Sequence, residues 1–97
     1  HLQMRGTVTI DEGAVKRLRE SGSSLLPVGV VGVSGDFHRG EMVACVSETG
    51  ERIACGLINY GAVETQRIAG VKSADIASVL GYSHEEELIH RDNLVLL

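Results

Sequence analysis

Residues 5–10, Arg-Gly-Thr-Val-Thr-Ile, alternate polar and apolar positions with β-branched side chains, the period-two signature of a strand with one buried face. The period then changes. Asp11 is placed to cap a helix, its carboxylate accepting from amides of the next turn, and Glu12 complements the positive end of that helix. Ala14, Val15 and Leu18 form an apolar stripe at helical spacing. Lys16, Arg17 and Arg19 crowd the last turns, and Gly22 is available as a left-handed stop. The pattern predicts a short amphipathic helix over residues 11–21.

The β-branched run from Leu25 to Val33 predicts a second strand. Pro27, near its start, has no amide hydrogen for a ladder, so the run begins at an edge, bulge or loop. Gly35 to Gly40 is turn chemistry around Phe37. Glu41–Ser47 and Arg52–Tyr60 predict the two arms of a hairpin joined across Glu48-Thr49-Gly50-Glu51. Two short helices are expected next, over 62–68 and 73–80, closed by Gly70 and Gly81. In the second, Ser73 is expected to cap, with Ile76, Val79 and Leu80 buried. Residues 83–87 read as an acidic, solvated loop. Leu88–His90 and Leu94–Leu97 are strand pieces, broken by Arg91-Asp92-Asn93.

The resulting order, βαββββααβ, holds five or six short strands and two or three short helices. Consecutive strands without intervening helices exclude a doubly wound parallel sheet. The fold class expected is mainly β with short helices: a small mixed, barrel-like sheet with helices plugging its ends.

Composition narrows the picture. The 97 residues, 43% of them hydrophobic, suit a single domain over 1–97 with a modest core. A net charge of −4 provides no blanket attraction to nucleic acid or anionic membrane. The only aromatics are Phe37, Tyr60 and Tyr82, fewer than stacking platforms for single strands normally use. Pro27, Gly29 and Gly32 interrupt the longest apolar stretch, which is too short to span a bilayer, and residues 1–4 carry no apolar leader. A cytoplasmic location with no membrane partner is expected. The first residue is His1 and not Met, as expected of a trimmed chain or a piece of a longer one. Twelve glycines against one proline is unusual; Gly22, Gly29, Gly35, Gly40, Gly70 and Gly81 fall at predicted bends and element ends.

Candidate chemistry is sparse. Cys45 and Cys55 lie on opposite arms of the predicted hairpin, without a C-x-x-C pair or histidines at ligand spacing, so no metal site is expected. Whether they face each other depends on hairpin register; two small buried thiols in a reducing compartment are the expectation. His1, His38, His84 and His90 are scattered and propose no triad. His90-Arg91-Asp92-Asn93 predicts a bulge or turn in which Asp92 and Asn93 bond nearby backbone. Gly29 to Gly35 matches neither G-x-G-x-x-G nor the Walker A pattern. Lys16, Arg17 and Arg19, the only basic cluster, read as a solvated helix face complementing the macrodipole, or as phosphate contacts. No catalytic, cofactor-binding or metal-binding residue is expected in this segment.

Taken in order, several segments resemble one family. Asp11-Glu12-Gly13-Ala14, Gly22-Ser23-Ser24-Leu25-Leu26-Pro27-Val28-Gly29-Val30 and Gly35-Asp36-Phe37-His38-Arg39-Gly40-Glu41 resemble the PUA domain, a small RNA-binding-type pseudo-barrel. With Asn59-Tyr60, Ile68-Ala69-Gly70, Leu80-Gly81-Tyr82 and His90-Arg91-Asp92-Asn93-Leu94, the succession is similar to the PUA domain that closes the bacterial glutamate 5-kinase family. The resemblance covers essentially the whole chain. It implies a preceding amino-acid-kinase domain that uses ATP and Mg²⁺ to phosphorylate L-glutamate to glutamyl 5-phosphate in proline biosynthesis, under proline feedback and in a homo-oligomer. It implies for this segment a non-catalytic part in regulation or assembly. As the alternative, it implies an RNA-binding surface at Lys16, Arg17, Arg19, Ser23, Ser24, Pro27 and Gly29. In one departure, Gly61 stands where the family often has a capping Ser, which predicts a loose start for the helix that follows.

Overall fold

The computed structural model describes residues 3–97; His1, one of the four histidines weighed above, and Leu2 lie outside them. Five strands run β1 Gly6–Ile10, β2 Val30–Gly35, β3 Met42–Ser47, β4 Arg52–Leu57 and β5 Leu94–Leu96. The three α-helices are α1 Glu12–Ser21, α2 Ala62–Ile68 and α3 Ile76–Leu80. The strands form one mixed sheet in the order β2-β1-β3-β4-β5, with β1 and β3 parallel and every other neighbour antiparallel. This is the mainly β architecture with short helices that the pattern predicted.

Alternation along the strands decides which face is buried. Val8 and Ile10 of β1, Val43 and Cys45 of β3 and Ala54 of β4 point inward, where they meet Leu18 of α1, Ile68 of α2 and Ile76 of α3. Phe37, Tyr60, Leu88 and Ile89 close the core from the loops. A bulge at Ile53 turns one further apolar side chain into it. Removing these side chains from water is the main stabilising term of so small a domain.

Helix α1 forms as expected. Asp11 Oδ1 accepts from Ala14 N at 2.8 Å, Glu12 sits in the first turn, Arg19 in the last, and Gly22 closes the helix at φ 57°. A left-handed φ is one that glycine adopts without the Cβ penalty other residues carry.

Several expectations are corrected. Leu25 to Val33 is not one strand: Leu25 makes a single bridge to Ile89, Pro27–Gly29 is a 3₁₀ turn, and β2 begins at Val30. Proline's fixed φ suits the first position of a helical turn, where its missing N–H leaves nothing unpaired. Strand β4 stops at Leu57, although Ile58 N still donates to Glu41 O at 3.0 Å. Ser73 does not cap a helix; its hydroxyl donates to Glu86 O at 2.9 Å, and residues 73–75 form a 3₁₀ turn before α3. In the His-Arg-Asp-Asn segment it is His90, not Asp92 or Asn93, that bonds nearby backbone, its Nδ1 accepting from Asp92 N at 3.1 Å. Of Leu88–His90, only Ile89 forms a bridge, the one to Leu25. At the start of α2, Glu64 Oε1 accepts from Gly61 N at 2.9 Å, so the turn is held from that side while glycine returns no bond.

The cysteine question is settled by register. Cys45 pairs with Ala54 and Cys55 with Ala44, so the two thiols leave opposite faces of the hairpin and both are free. Cys45 is buried, but Cys55 is only half-buried, against the expectation of two buried thiols.

Candidate functional site

Helix α1 and the 3₁₀ turn at Pro27–Gly29 approach closely because each supplies a small residue. Asp11 links them: its backbone N donates to Gly29 O at 3.0 Å while its carboxylate caps α1. A Cβ built on Gly29 would lie 2.8 Å from Ala14 Cβ, so no larger residue fits without displacement. Between the two segments runs a groove of about 220 Å³, lined by Asp11, Gly13, Ala14, Arg17, Ser24 and Val28 among others.

The seven residues proposed as an RNA-binding set are not all brought together. Arg17, Ser24 and Gly29 line the groove. Pro27 is buried beneath it, its carbonyl accepting from Gly70 N at 2.9 Å, and Ser23 is half-buried. Ser24 also serves the frame, its hydroxyl accepting from Arg91 N at 2.8 Å. Lys16 and Arg19 line a different cleft, of about 380 Å³, beside Glu12, Glu20, Glu48 and Glu51. Arg19 Nη2 lies 3.0 Å from Glu51 Oε2. At 100° per residue, positions 16 and 19 lie about 60° apart, whereas position 17 is turned toward the groove. Helical geometry thus splits a cluster that is contiguous in sequence.

A second constellation, built on residues that the sequence reading assigned to a strand end, a turn, a helix and a solvated loop, holds the acidic loop down. The Tyr60 hydroxyl donates to Glu85 O at 2.7 Å and accepts from His84 N at 2.9 Å. Arg39 Nη2 pairs with the Glu85 carboxylate at 3.0 Å. Glu64 accepts from the Tyr82 hydroxyl and from Gly61 N, with His84 Nε2 3.9 Å away. Burial alone would raise the Glu64 carboxyl, but these hydrogen bonds, with His84 and Arg39 nearby, outweigh it and hold the group below the ordinary carboxylate value. The Tyr82 hydroxyl is raised in turn, chiefly by its bond to Glu64. The one available signal was composition: Tyr60 and Tyr82 are two of only three aromatics.

Cys45 is the other perturbed group. Burial, helped by the neighbouring Cys55, pushes its thiol up to about 12, which makes it a packing residue and not a nucleophile. The groove offers one guanidinium, the Asp11 carboxylate that caps α1, the Ser24 hydroxyl, an apolar wall and backbone groups. That set can bind; it holds no nucleophile paired with a base. Among the described residues no three His, Cys, Asp or Glu side chains cluster as metal ligands, and no helix is long and apolar enough to cross a membrane.

Comparison with known proteins agrees with this architecture. The model of the PUA domain family matches residues 6–80, and the chain belongs to that family. Over all 97 residues it is 68% identical to the glutamate 5-kinase of Alcanivorax borkumensis, and the match falls in the C-terminal region of that protein. The chain spans about a quarter of such relatives, 26% in this case. Among solved structures, it resembles a PUA domain from Aeropyrum pernix K1 in a tartrate complex, at 25% identity and a TM-score of 0.65, covering 89% of this chain and 41% of that one. It also shares the fold, at 20% identity and a TM-score of 0.59, with a chain of an H/ACA RNP bound to a substrate RNA, covering 90% of this chain and 25% of that one.

Proposed function

We propose that this chain is the C-terminal module of a glutamate 5-kinase and that it tunes assembly or proline inhibition without taking part in the chemistry. The observation that carries the reading is the 68% identity over the full length of the chain to a relative of which it spans 26%. In this reading a preceding amino-acid-kinase domain, cytoplasmic and homo-oligomeric, binds ATP and Mg²⁺ and phosphorylates the side-chain carboxylate of L-glutamate, the first committed step of proline biosynthesis. Deleting the segment equivalent to residues 3–97 from the full-length enzyme is expected to leave phosphoryl transfer measurable while changing oligomer size or the proline concentration for half-inhibition. A truncated enzyme unchanged in activity, size and inhibition refutes the reading.

A second reading is favoured by one specific observation: Arg17 lies over a groove whose wall is the Ser24–Gly29 segment, in a fold also present in an RNP bound to RNA. Here the module binds RNA through Arg17, Ser24 and the backbone at Gly29, with half-buried Ser23 at the margin, Pro27 supporting the wall from beneath, and Lys16 and Arg19 at the far side of α1. Each phosphate contacted adds roughly 0.9 to the slope of log affinity against log salt. Titration with a structured RNA at several salt concentrations is expected to move the amide resonances of residues 17, 24–26, 28 and 29 with a slope of about 1–3. No resonance shift at low salt refutes it.

A further inference from the structure

We infer that the outer face of β3, β4 and β5 is a docking surface for the kinase segment preceding this module in the same polypeptide. The ladder register fixes which side chains share that face. Met42, Ala44 and Val46 point outward from β3, Cys55 and Leu57 from β4, and Val95 from β5, because Met42 pairs with Leu57, Ala44 with Cys55 and Cys55 with Val95. The face is thus apolar across three adjacent strands, with Ala44 buried at its centre, Met42, Val46 and Cys55 half-buried around it, and Leu57 and Val95 exposed. The same face of β1 presents Thr7 and Thr9, which pair with Ala44 and Val46, so the apolar character stops at the β1–β3 boundary. Two cations mark the ends. Arg52 pairs with Val46 at one, and at the other Arg5 lies 3.3 Å from Glu41.

On an ordinary antiparallel sheet with one solvated face, outward positions are polar. Here Leu57 is 37% exposed, Val95 60% and Leu97, two residues beyond Val95, 61%. A contiguous apolar patch with a polar rim marks an interaction surface, whereas a single exposed Leu does not. Its occupant follows from where the chain enters. Arg5 N donates to Met42 O at 2.8 Å, and Met42 pairs with Leu57, so the first strand is entered at the edge of the patch. The matched region is the C-terminal quarter of its relatives, so in them about three quarters of the polypeptide precedes this point. A domain tethered there meets the patch at an effective concentration of about millimolar, without the translational cost a separate partner bears. Edge-to-edge pairing with a second copy beside this face is the weaker occupant, since β5, the edge that borders it, has only three residues, Leu94–Leu96, to offer as a ladder.

The inference rests on the module reading, and its test separates the two. Photo-crosslinking in the full-length protein with Val95→p-benzoylphenylalanine, and independently with Leu57→p-benzoylphenylalanine, reads what covers the face. Val63→p-benzoylphenylalanine, on α2 and 73% exposed, is the reference. Crosslinks from positions 95 and 57 to the preceding kinase segment are expected at monomer mass and at least tenfold above those from position 63. Crosslinks at dimer mass, or no excess over position 63, overturn the docking inference while leaving the module reading intact. A reading frame with no kinase segment upstream overturns the module reading and this inference with it.

Discussion

Gly29→Ala tests whether the contact between α1 and the 3₁₀ turn sets the geometry of the groove. The added methyl would lie 2.8 Å from Ala14 Cβ, where carbon atoms prefer about 3.5–4.0 Å, so the two segments must separate by roughly 1 Å. They are not free to do so. Asp11 N donates to Gly29 O at 3.0 Å while Asp11 Oδ1 holds Ala14 N at 2.8 Å, closing a ring around the clash. Gly70 N holds Pro27 O at 2.9 Å from the other side. Overpacking a tied contact of this kind costs about 1–3 kcal/mol. The backbone of Gly29 lies outside the positive-φ region, so the cost is steric alone. Ala14→Gly removes the opposing methyl at about 1 kcal/mol in helix propensity. The double variant is then expected to be more stable than the sum of the single variants by about 1–2 kcal/mol, within the range measured for contacting pairs. Urea unfolding followed by far-ultraviolet circular dichroism reads all four proteins, and thermal midpoints should move by roughly 4–8 °C per kcal/mol. Additivity within about 0.5 kcal/mol, or a neutral Gly29→Ala, refutes the argument that this contact is tight.

Asp11→Ala removes the carboxylate that caps α1 and should cost about 1 kcal/mol by urea unfolding, with Asp11→Asn losing much less. Alkylation by iodoacetamide at pH 8, read by peptide mass spectrometry, should label Cys55 first and leave Cys45, raised to about 12, unmodified until the domain unfolds. Glu64 has a folded pKa below its unfolded value of 4.5, so its contribution is complete above that value and is lost as pH falls through the folded pKa. Tyr82→Phe removes its strongest stabilising bond, and a carboxyl ¹³C titration should place the Glu64 midpoint higher in the variant than in the parent; an unchanged midpoint refutes the clamp.

What was legible in the sequence was whatever local periodicity controls. β1, α1 with its Asp11 cap and Gly22 stop, and α2 stand where alternation and capping residues placed them, as does the β3–β4 hairpin apart from the end of its second arm. The errors share a cause. Leu25 to Val33 looked like a strand because β-branched residues suit one, but the Leu25–Ile89 bridge and the bond from Gly70 to Pro27 come from segments distant in sequence. Ser73 looked like a cap until Glu86 O, thirteen residues away, proved the better partner for its hydroxyl. The Cys45–Cys55 relation turned on a register of alternating faces, which a four-residue turn does not specify.

The candidate site was less legible than the fold for a related reason. Lys16, Arg17 and Arg19 are one cluster in sequence and two in space, because the helix turns Arg17 to the groove and its neighbours toward Glu48 and Glu51. Net charge compounds this. A phosphate approaching Arg17 meets one cation and one carboxylate, Asp11, whereas one approaching Lys16 and Arg19 meets four carboxylates in the same cleft, Glu12, Glu20, Glu48 and Glu51. Coulomb repulsion there opposes polyanion binding at any but high salt, where the attraction itself is screened. The outer face of β3–β5 shares no residue with either cleft and carries charge only at its ends. On the proposed readings, divided and partly neutralised basic residues on α1 weigh against nucleic acid, and the apolar positions Leu57 and Val95 on the outer sheet face weigh toward contact with protein.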